Sequence, residues 1–219
     1  AQPKQVLTHE TLWMMKSVGA PLTSPDGKWV IYSLREPSYA KDESVSDLWI
    51  VPTDGSAAPR RITSSKAGES DPAWAPDSRR IAFSTKREGD DVAQIYILDL
   101  AGGEARRATD VPTGAARPQW RPDGQAILFE SMVYPGAVDA ATNKKAADER
   151  KARKFSMRVY EHFPIRYWNE WLDDRRPSLW VQPLTQGAAA RDIISTTQLA
   201  KMEGFGGSPR NDGGASLSP

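Results

Sequence analysis

The 219-residue chain contains no cysteine, which excludes disulfides, thiol nucleophiles and cysteine-held metals. Histidine is almost absent too, with only His9 and His162. His9-Glu10-Thr11-Leu12-Trp13 opens like a zinc-peptidase helix, but Trp13 stands where the second histidine of that motif is required, so the zinc reading fails. Neither sign of charge prevails: 29 Lys and Arg face 28 Asp and Glu for a net charge of +1, which supplies no electrostatic reason to expect nucleic acid or an anionic membrane as partner. No apolar run approaches the roughly 20 residues of a membrane span. The chain opens Ala1-Gln2 without Met, as a chain cleaved behind a signal peptide does, and a soluble periplasmic or secreted protein is expected.

What the chain does contain is a repeat. Ser24-Pro25-Asp26-Gly27-Lys28-Trp29-Val30-Ile31-Tyr32 returns as Ala75-Pro76-Asp77-Ser78-Arg79-Arg80-Ile81-Ala82-Phe83 and as Arg121-Pro122-Asp123-Gly124-Gln125-Ala126-Ile127-Leu128-Phe129. The three prolines stand 51 and 46 residues apart, the period of one four-stranded propeller blade, and Leu217-Ser218-Pro219 reads as the start of a fourth copy. The expected fold is therefore all-β, a β-propeller of about three blades plus the beginning of another. Its boundaries are an N-terminal arm and helix over 1–19, blade one over 20–66, blade two over 67–112, blade three over 113–200 and the fourth from 201.

Within each repeat the turn chemistry is explicit. Pro pre-sets φ, Asp accepts hydrogen bonds from the turn amides and Gly27 supplies a positive φ. Alternating strands follow, and each repeat ends in a short charged edge: Arg60-Arg61-Ile62-Thr63, Arg106-Arg107-Ala108-Thr109 and Arg191-Asp192-Ile193-Ile194. Trp74 and Trp120 precede their turns by two residues and are expected to fill the wedge between blades rather than touch a ligand. Ahead of the first repeat, Thr8 is placed to cap a short helix running through Lys16, which Gly19 stops.

Blade three breaks the pattern. Trp49 and Tyr96 are 47 residues apart, but the next equivalent, Trp180, follows Tyr96 by 84, so about 37 extra residues lie in an insertion between Pro135 and Pro177. Its first half, 139–154, is rich in Ala, Lys, Arg and Glu without an apolar stripe and reads as a solvated helix. Lys144, Lys145, Arg150, Lys151, Arg153 and Lys154 make it basic, which a solvated face explains as well as an anion site does. Its second half concentrates aromatics and carboxylates from Tyr160 to Asp174. Pro164 suits the first turn of a helix in which Ile165, Trp168 and Leu172 share a face. Such a segment suits either a peptide-binding surface, with a carboxylate for a substrate ammonium, or attachment of the insertion to its own blade. His162 has no nucleophile placed near it by the sequence and reads as a packing residue.

The opening Leu7-Thr8-His9-Glu10-Thr11-Leu12-Trp13, the stretch Val18 to Lys28, the Trp-x-Pro-Asp repeats and Arg166-Tyr167-Trp168-Asn169-Glu170-Trp171 together resemble the N-terminal propeller of bacterial serine peptidases of the prolyl oligopeptidase family, in the branch of acylaminoacyl peptidases and dipeptidyl peptidase 5-like enzymes. The resemblance implies hydrolysis of short peptides by an α/β-hydrolase domain that follows the propeller, with a Ser-His-Asp triad and an oxyanion hole. These residues hold no catalytic group of that kind: the nearest string to a nucleophile elbow, Gly206-Gly207-Ser208-Pro209, lacks the final Gly. What the resemblance implies for this stretch is gating and selection of short peptides. Glu170 is the first candidate partner for a substrate ammonium, with Glu161 and Asp173 behind it and Arg166, Tyr167 and Trp168 alongside; Asn169 stands where an Asp was expected, which weakens a paired-acid clamp. No cofactor or metal is implied, and homo-oligomerisation is left open. The competing reading is a TolB-like periplasmic interaction propeller without catalysis.

Overall fold

Every Pro-Asp turn of the repeat joins the first two strands of an antiparallel sheet. The computed structural model describes residues 6–38, 43–155, 157, 166–171 and 175–201. At the first turn the Ser24 hydroxyl donates to Asp26 Oδ1 (2.6 Å), the Lys28 N–H donates to the same oxygen (3.1 Å), and Gly27 takes φ 72°. These two bonds, the Ser24 hydroxyl first, hold the Asp26 carboxyl below its ordinary pKa. The third turn repeats the device, with Arg121 Nε and the Gln125 N–H donating to Asp123 Oδ1 at 2.7 and 2.9 Å. In the second, Ser78 occupies the glycine place at φ 57°.

Ahead of the first sheet, helix α1 (His9–Trp13) begins at Thr8, whose Oγ1 accepts from the Thr11 N–H at 3.1 Å. It stops short of the expected Lys16 because Ser17 and Val18 are recruited into a sheet as β1 (Ser17–Val18). The strands β2 (Leu22–Thr23), β3 (Trp29–Ser38), β4 (Glu43–Pro52) and β5 (Arg60–Arg61) complete that sheet, with β1 and β2 both paired to β3 as one interrupted first strand. The second sheet is β6 (Glu69–Trp74), β7 (Arg80–Thr85), β8 (Gln94–Asp99) and β9 (Arg106–Arg107), in sequence order. The third starts with β10 (Ala116–Trp120) and β11 (Ala126–Val133). The insertion then supplies helix α2 (Ala140–Ala152) and a separate hairpin, β12 (Arg166–Tyr167) and β13 (Glu170–Trp171). Finally β14 (Arg176–Pro183) pairs with β11, and β15 (Arg191–Asp192) forms the edge. A 3₁₀ turn, Gln198–Lys201, follows.

The sheets stack face to face through two apolar layers. Ile31, Leu48, Ile50, Ile81, Phe83 and Tyr96 fill the space between the first and second, and Ile95, Ile97, Val111, Trp120, Ile127, Phe129 and Trp180 that between the second and third. The first strands β2, β6 and β10 lie side by side where the sheets converge. The two tryptophans tie them together: Trp74 Nε1 donates to the Leu22 carbonyl at 2.9 Å, and Trp120 Nε1 to the Ala73 carbonyl at 3.2 Å. Their expected role as wedges between blades is therefore met by packing and by a hydrogen bond that spans adjacent sheets.

Each first strand carries one extra residue relative to its partner. The register slips between Ser70 and Ala73 in β6 and between Ala116 and Gln119 in β10, and the same slip separates β1 from β2. Just before the slip in the second sheet, Gly68 takes φ 76°, and a Cβ there would lie 3.0 Å from the Ser46 carbonyl oxygen and 3.1 Å from the Ser46 nitrogen. Gly68→Ala should therefore cost about 2 kcal/mol, combining left-handed strain with a backbone collision between sheets. Chemical denaturation measures this directly; a cost below ~0.5 kcal/mol would show that the entry to β6 shifts freely.

Over residues 166–171 the insertion does not form the helix expected across Pro164 to Leu172. Over the described residues Tyr167 and Glu170 pair across a two-residue loop, with Trp168 at φ 53°. A helix cannot pass through that conformation, whereas a two-residue hairpin loop demands it.

Candidate functional site

The antiparallel register gives the sheets two unlike ends. One carries all three Pro-Asp turns. At the other lie the β3–β4 connection, the β7–β8 loop and the insertion between β11 and β14, together with the entries to the first strands, since Ser17 pairs with Arg35, Glu69 with Thr85 and Ala116 with Glu130. The large differences in loop length are thus gathered at one end, and loops of this kind are where binding residues are most often carried.

Two groups fix this end. In the β7–β8 loop, Asp90 is buried and accepts from the Tyr96 hydroxyl (2.8 Å) and the Arg87 N–H (3.0 Å), while Arg107 Nε approaches its other oxygen at 3.4 Å and the Arg87 guanidinium lies 4.8 Å over the Tyr96 ring. Burial first, then the bond to Asp90, pushes the Tyr96 hydroxyl above its ordinary pKa. In the insertion, α2 meets its reading as a solvated helix on its outer face, with Lys144 and Asp148 paired at 2.9 Å one turn apart. Its anchor is Asn143, 0% exposed, whose Oδ1 accepts from the Tyr134 N–H (3.0 Å) and whose Nδ2 donates to Thr113 Oγ1 (2.9 Å) and the Met132 carbonyl (3.1 Å).

The hairpin at the far end of the insertion gathers four of the six residues singled out in the sequence. Arg166 and Tyr167 form one strand, Trp168 stands in the loop and Glu170 begins the return strand. Trp168 is 84% and Trp171 57% exposed. Arg166 Nε donates to the Trp168 carbonyl at 2.7 Å, and its guanidinium lies 5.9 Å from the Trp171 ring centroid, bracing the loop from beneath. Glu161, Asp173 and His162 lie outside the described residues.

A second polar group at this end escaped the sequence reading. The bulges place Asp71 (φ 52°) and Arg117 (φ 51°) in left-handed conformations immediately before Pro72 and Pro118. The Arg117 N–H points at Asp71 Oδ2 (3.4 Å), joining neighbouring first strands, and the Arg117 guanidinium pairs with Glu130 at 3.2 Å. A signal was present: Pro21, Pro72 and Pro118 keep the same 51- and 46-residue spacing as the turn prolines. A proline repeated at or inside a first strand is confined to an edge, a first position or a bulge.

Radially converging four-stranded sheets with variable loops at one end define a β-propeller. A family model described as the TolB beta propeller domain, PD40, matches residues 9–164, and the chain belongs to that family. Among relatives, the chain is 38% identical over 104 residues to the uncharacterized peptidase YuxL of Bacillus subtilis, covering 47% of this chain and 15% of that protein. It is 29% identical over 191 residues to dipeptidyl-peptidase 5 of Porphyromonas endodontalis, covering 83% of this chain and 26% of the relative. The chain thus spans about a quarter of such relatives or less. Among solved structures, the acylaminoacyl peptidase of Pyrococcus horikoshii superposes with a TM-score of 0.60 at 18% identity, over 83% of this chain and 26% of that one. The AtxE2 isopeptidase gives 0.60 at 17% identity, over 89% and 33%. At these identities the likeness to solved structures concerns the fold. The resemblance to peptidase propellers and the all-β, four-stranded-blade architecture are both borne out. Among the described residues no helix is long and apolar enough to cross a membrane.

Proposed function

We propose that this propeller is the substrate-selecting part of a serine exopeptidase that releases dipeptides or acylated residues from short peptides, gating an α/β-hydrolase domain carried elsewhere in the parent protein, in the periplasm or outside the cell. One observation carries the reading. The similarity to dipeptidyl-peptidase 5 covers 83% of the chain, a stretch long enough to contain the whole insertion and not just the repeats, which all TolB-type propellers share. The insertion projects from the end of the sheets that bears the variable loops and presents exposed Trp168 and Trp171, side chains suited to apolar peptide groups. In this reading Glu170 pairs with the ammonium of a free N-terminus, and Arg166, Tyr167 and Trp168 border the passage, with Glu161 and Asp173 as further acidic candidates.

The test is an assay of the full-length protein on chromogenic dipeptidyl and N-acylaminoacyl substrates. Glu170→Gln is expected to raise KM for free-amine dipeptide substrates about tenfold, the loss of one charge-assisted contact. Unchanged KM and kcat would remove Glu170 from the site. Absence of hydrolysis on both substrate classes would favour the interaction-platform reading, which draws on a 36% identity over 64 residues to a TolB homolog of Chlorobium luteolum.

A further inference from the structure

At the outer rim, between the edge of the second sheet and the edge of the third, lies a cavity of about 370 Å³. Residues 107–110 at the end of β9 line one side, Gln182 and Ala188 to Ala190 of the β14–β15 hairpin line the other, and Ala140 at the start of α2 completes the lining. The lining is short: five of its nine residues are alanine, which leaves depth for a main chain with small side chains. It is also balanced in charge, since its only ionised side chains, Arg107 and Asp110, pair with each other at 2.7 Å. Two polar atoms remain to be satisfied. Gln182 is only 7% exposed, and its Nε2 donates to the Pro183 and Ala188 carbonyls at 2.8 Å each, which fixes the amide and leaves Oε1 with no donor among the described residues. Arg107 spends Nε on the Thr109 carbonyl and Nη2 on Asp110, and among the described residues its Nη1 donates to nothing.

We infer that this cavity is a second peptide-binding site, separate from the insertion hairpin, that holds an extended, uncharged segment of small residues by its main chain. A peptide unit offers one N–H and one C=O, the complement of Gln182 Oε1 and Arg107 Nη1. The edge strand favours the same occupant. The Ala108 N–H donates to the Ile95 carbonyl at 2.8 Å, so the alternation of the strand turns the N–H and C=O of Arg107 away from β8, where an added strand uses them. A charged ligand fits poorly, because the paired Arg107 and Asp110 leave no counter-charge for it. The inference goes beyond the exopeptidase reading: it concerns where a main chain is held, and it does not depend on Glu170 or on which terminus is cleaved.

The experiment is calorimetric titration of the full-length protein, treated with a fluorophosphonate to silence serine hydrolysis, with acetyl-trialanine amide, a probe uncharged at both ends. Ala189→Trp fills the cavity from an exposed position and breaks no side-chain bond, so the fold is kept; Gln182→Met removes the acceptor at nearly unchanged length. The inference expects saturable binding that weakens at least tenfold in Ala189→Trp at an unchanged Tm, and about fivefold in Gln182→Met, the loss of one neutral hydrogen bond. Acetyl-trivaline amide, whose side chains outgrow the alanine walls, is expected to bind at least tenfold more weakly than the trialanine probe. Absence of binding overturns the inference, as does binding that Ala189→Trp leaves unchanged or equal affinity for the trivaline probe. Each of those results leaves the exopeptidase reading to its own chromogenic assay. Binding with the expected losses in a protein inactive on both chromogenic substrates upholds the cavity site and overturns the exopeptidase reading alone.

Discussion

Asn143→Ala should cost the protein about 3 kcal/mol and release the first half of the insertion. The side chain is the only buried one in α2 and makes three hydrogen bonds, from the Tyr134 N–H and to Thr113 Oγ1 and the Met132 carbonyl. Truncation strands these partners where water does not replace the amide, at about 1 kcal/mol or more each. The helix has no apolar stripe to compensate; its exposed Lys144–Asp148 pair is worth only a few tenths of a kcal/mol. Denaturant titration should show the stability loss, and limited proteolysis should show new cleavage between residues 134 and 155. A loss under ~1 kcal/mol with unchanged proteolysis would mean that α2 is held by something other than this amide.

Trp180→Ala should be costlier, at about 4 kcal/mol. Trp180 is 0% exposed, packs in the layer between the second and third sheets and lies against Phe129 with ring centroids 6.4 Å apart. Its removal opens a cavity bordered by two rigid sheets, which collapse poorly around a void. Trp180→Phe supplies the internal control. The indole Nε1 is buried and finds no acceptor among the described residues, so phenylalanine forfeits some packing while eliminating an unsatisfied donor. The expected cost for Phe is below about 1.5 kcal/mol. Comparable losses for Ala and Phe, read from denaturation midpoints, would show that the site recognises the indole itself rather than its bulk.

The legibility of the chain follows the range of the interactions concerned. Turn chemistry is local, so Pro25, Asp26 and Gly27 announced their geometry, and repetition turned one turn into an architecture. The edge arginines and wedge tryptophans were legible for the same reason, because each sits at a fixed offset from its turn. The hairpin of the insertion was not. Ile165, Trp168 and Leu172 have helical spacing, but over so few residues that spacing does not separate a helix from two paired dipeptides. Trp168 then adopts a positive φ usually reserved for Gly or Asn, which residue type alone does not announce. Asn143 gave no signal either, since its worth depends on Thr113, thirty residues away in sequence. Asp71 and Arg117 lay in plain view before their prolines, but their closeness arises only when neighbouring first strands meet.

The tryptophan stitches also carry a direction in time. Trp74 donates to Leu22 and Trp120 to Ala73, so every acceptor precedes its donor along the chain by about one repeat. During synthesis the acceptor strand leaves the ribosome first. At roughly 5–20 residues per second, the next tryptophan follows about 2–10 s later, far longer than the microseconds in which a hairpin forms. The first and second sheets are thus complete and waiting before the residue that locks each in place exists. A propeller stitched this way assembles in the order it is read, and a stalled chain holds finished every sheet that ends before its break point.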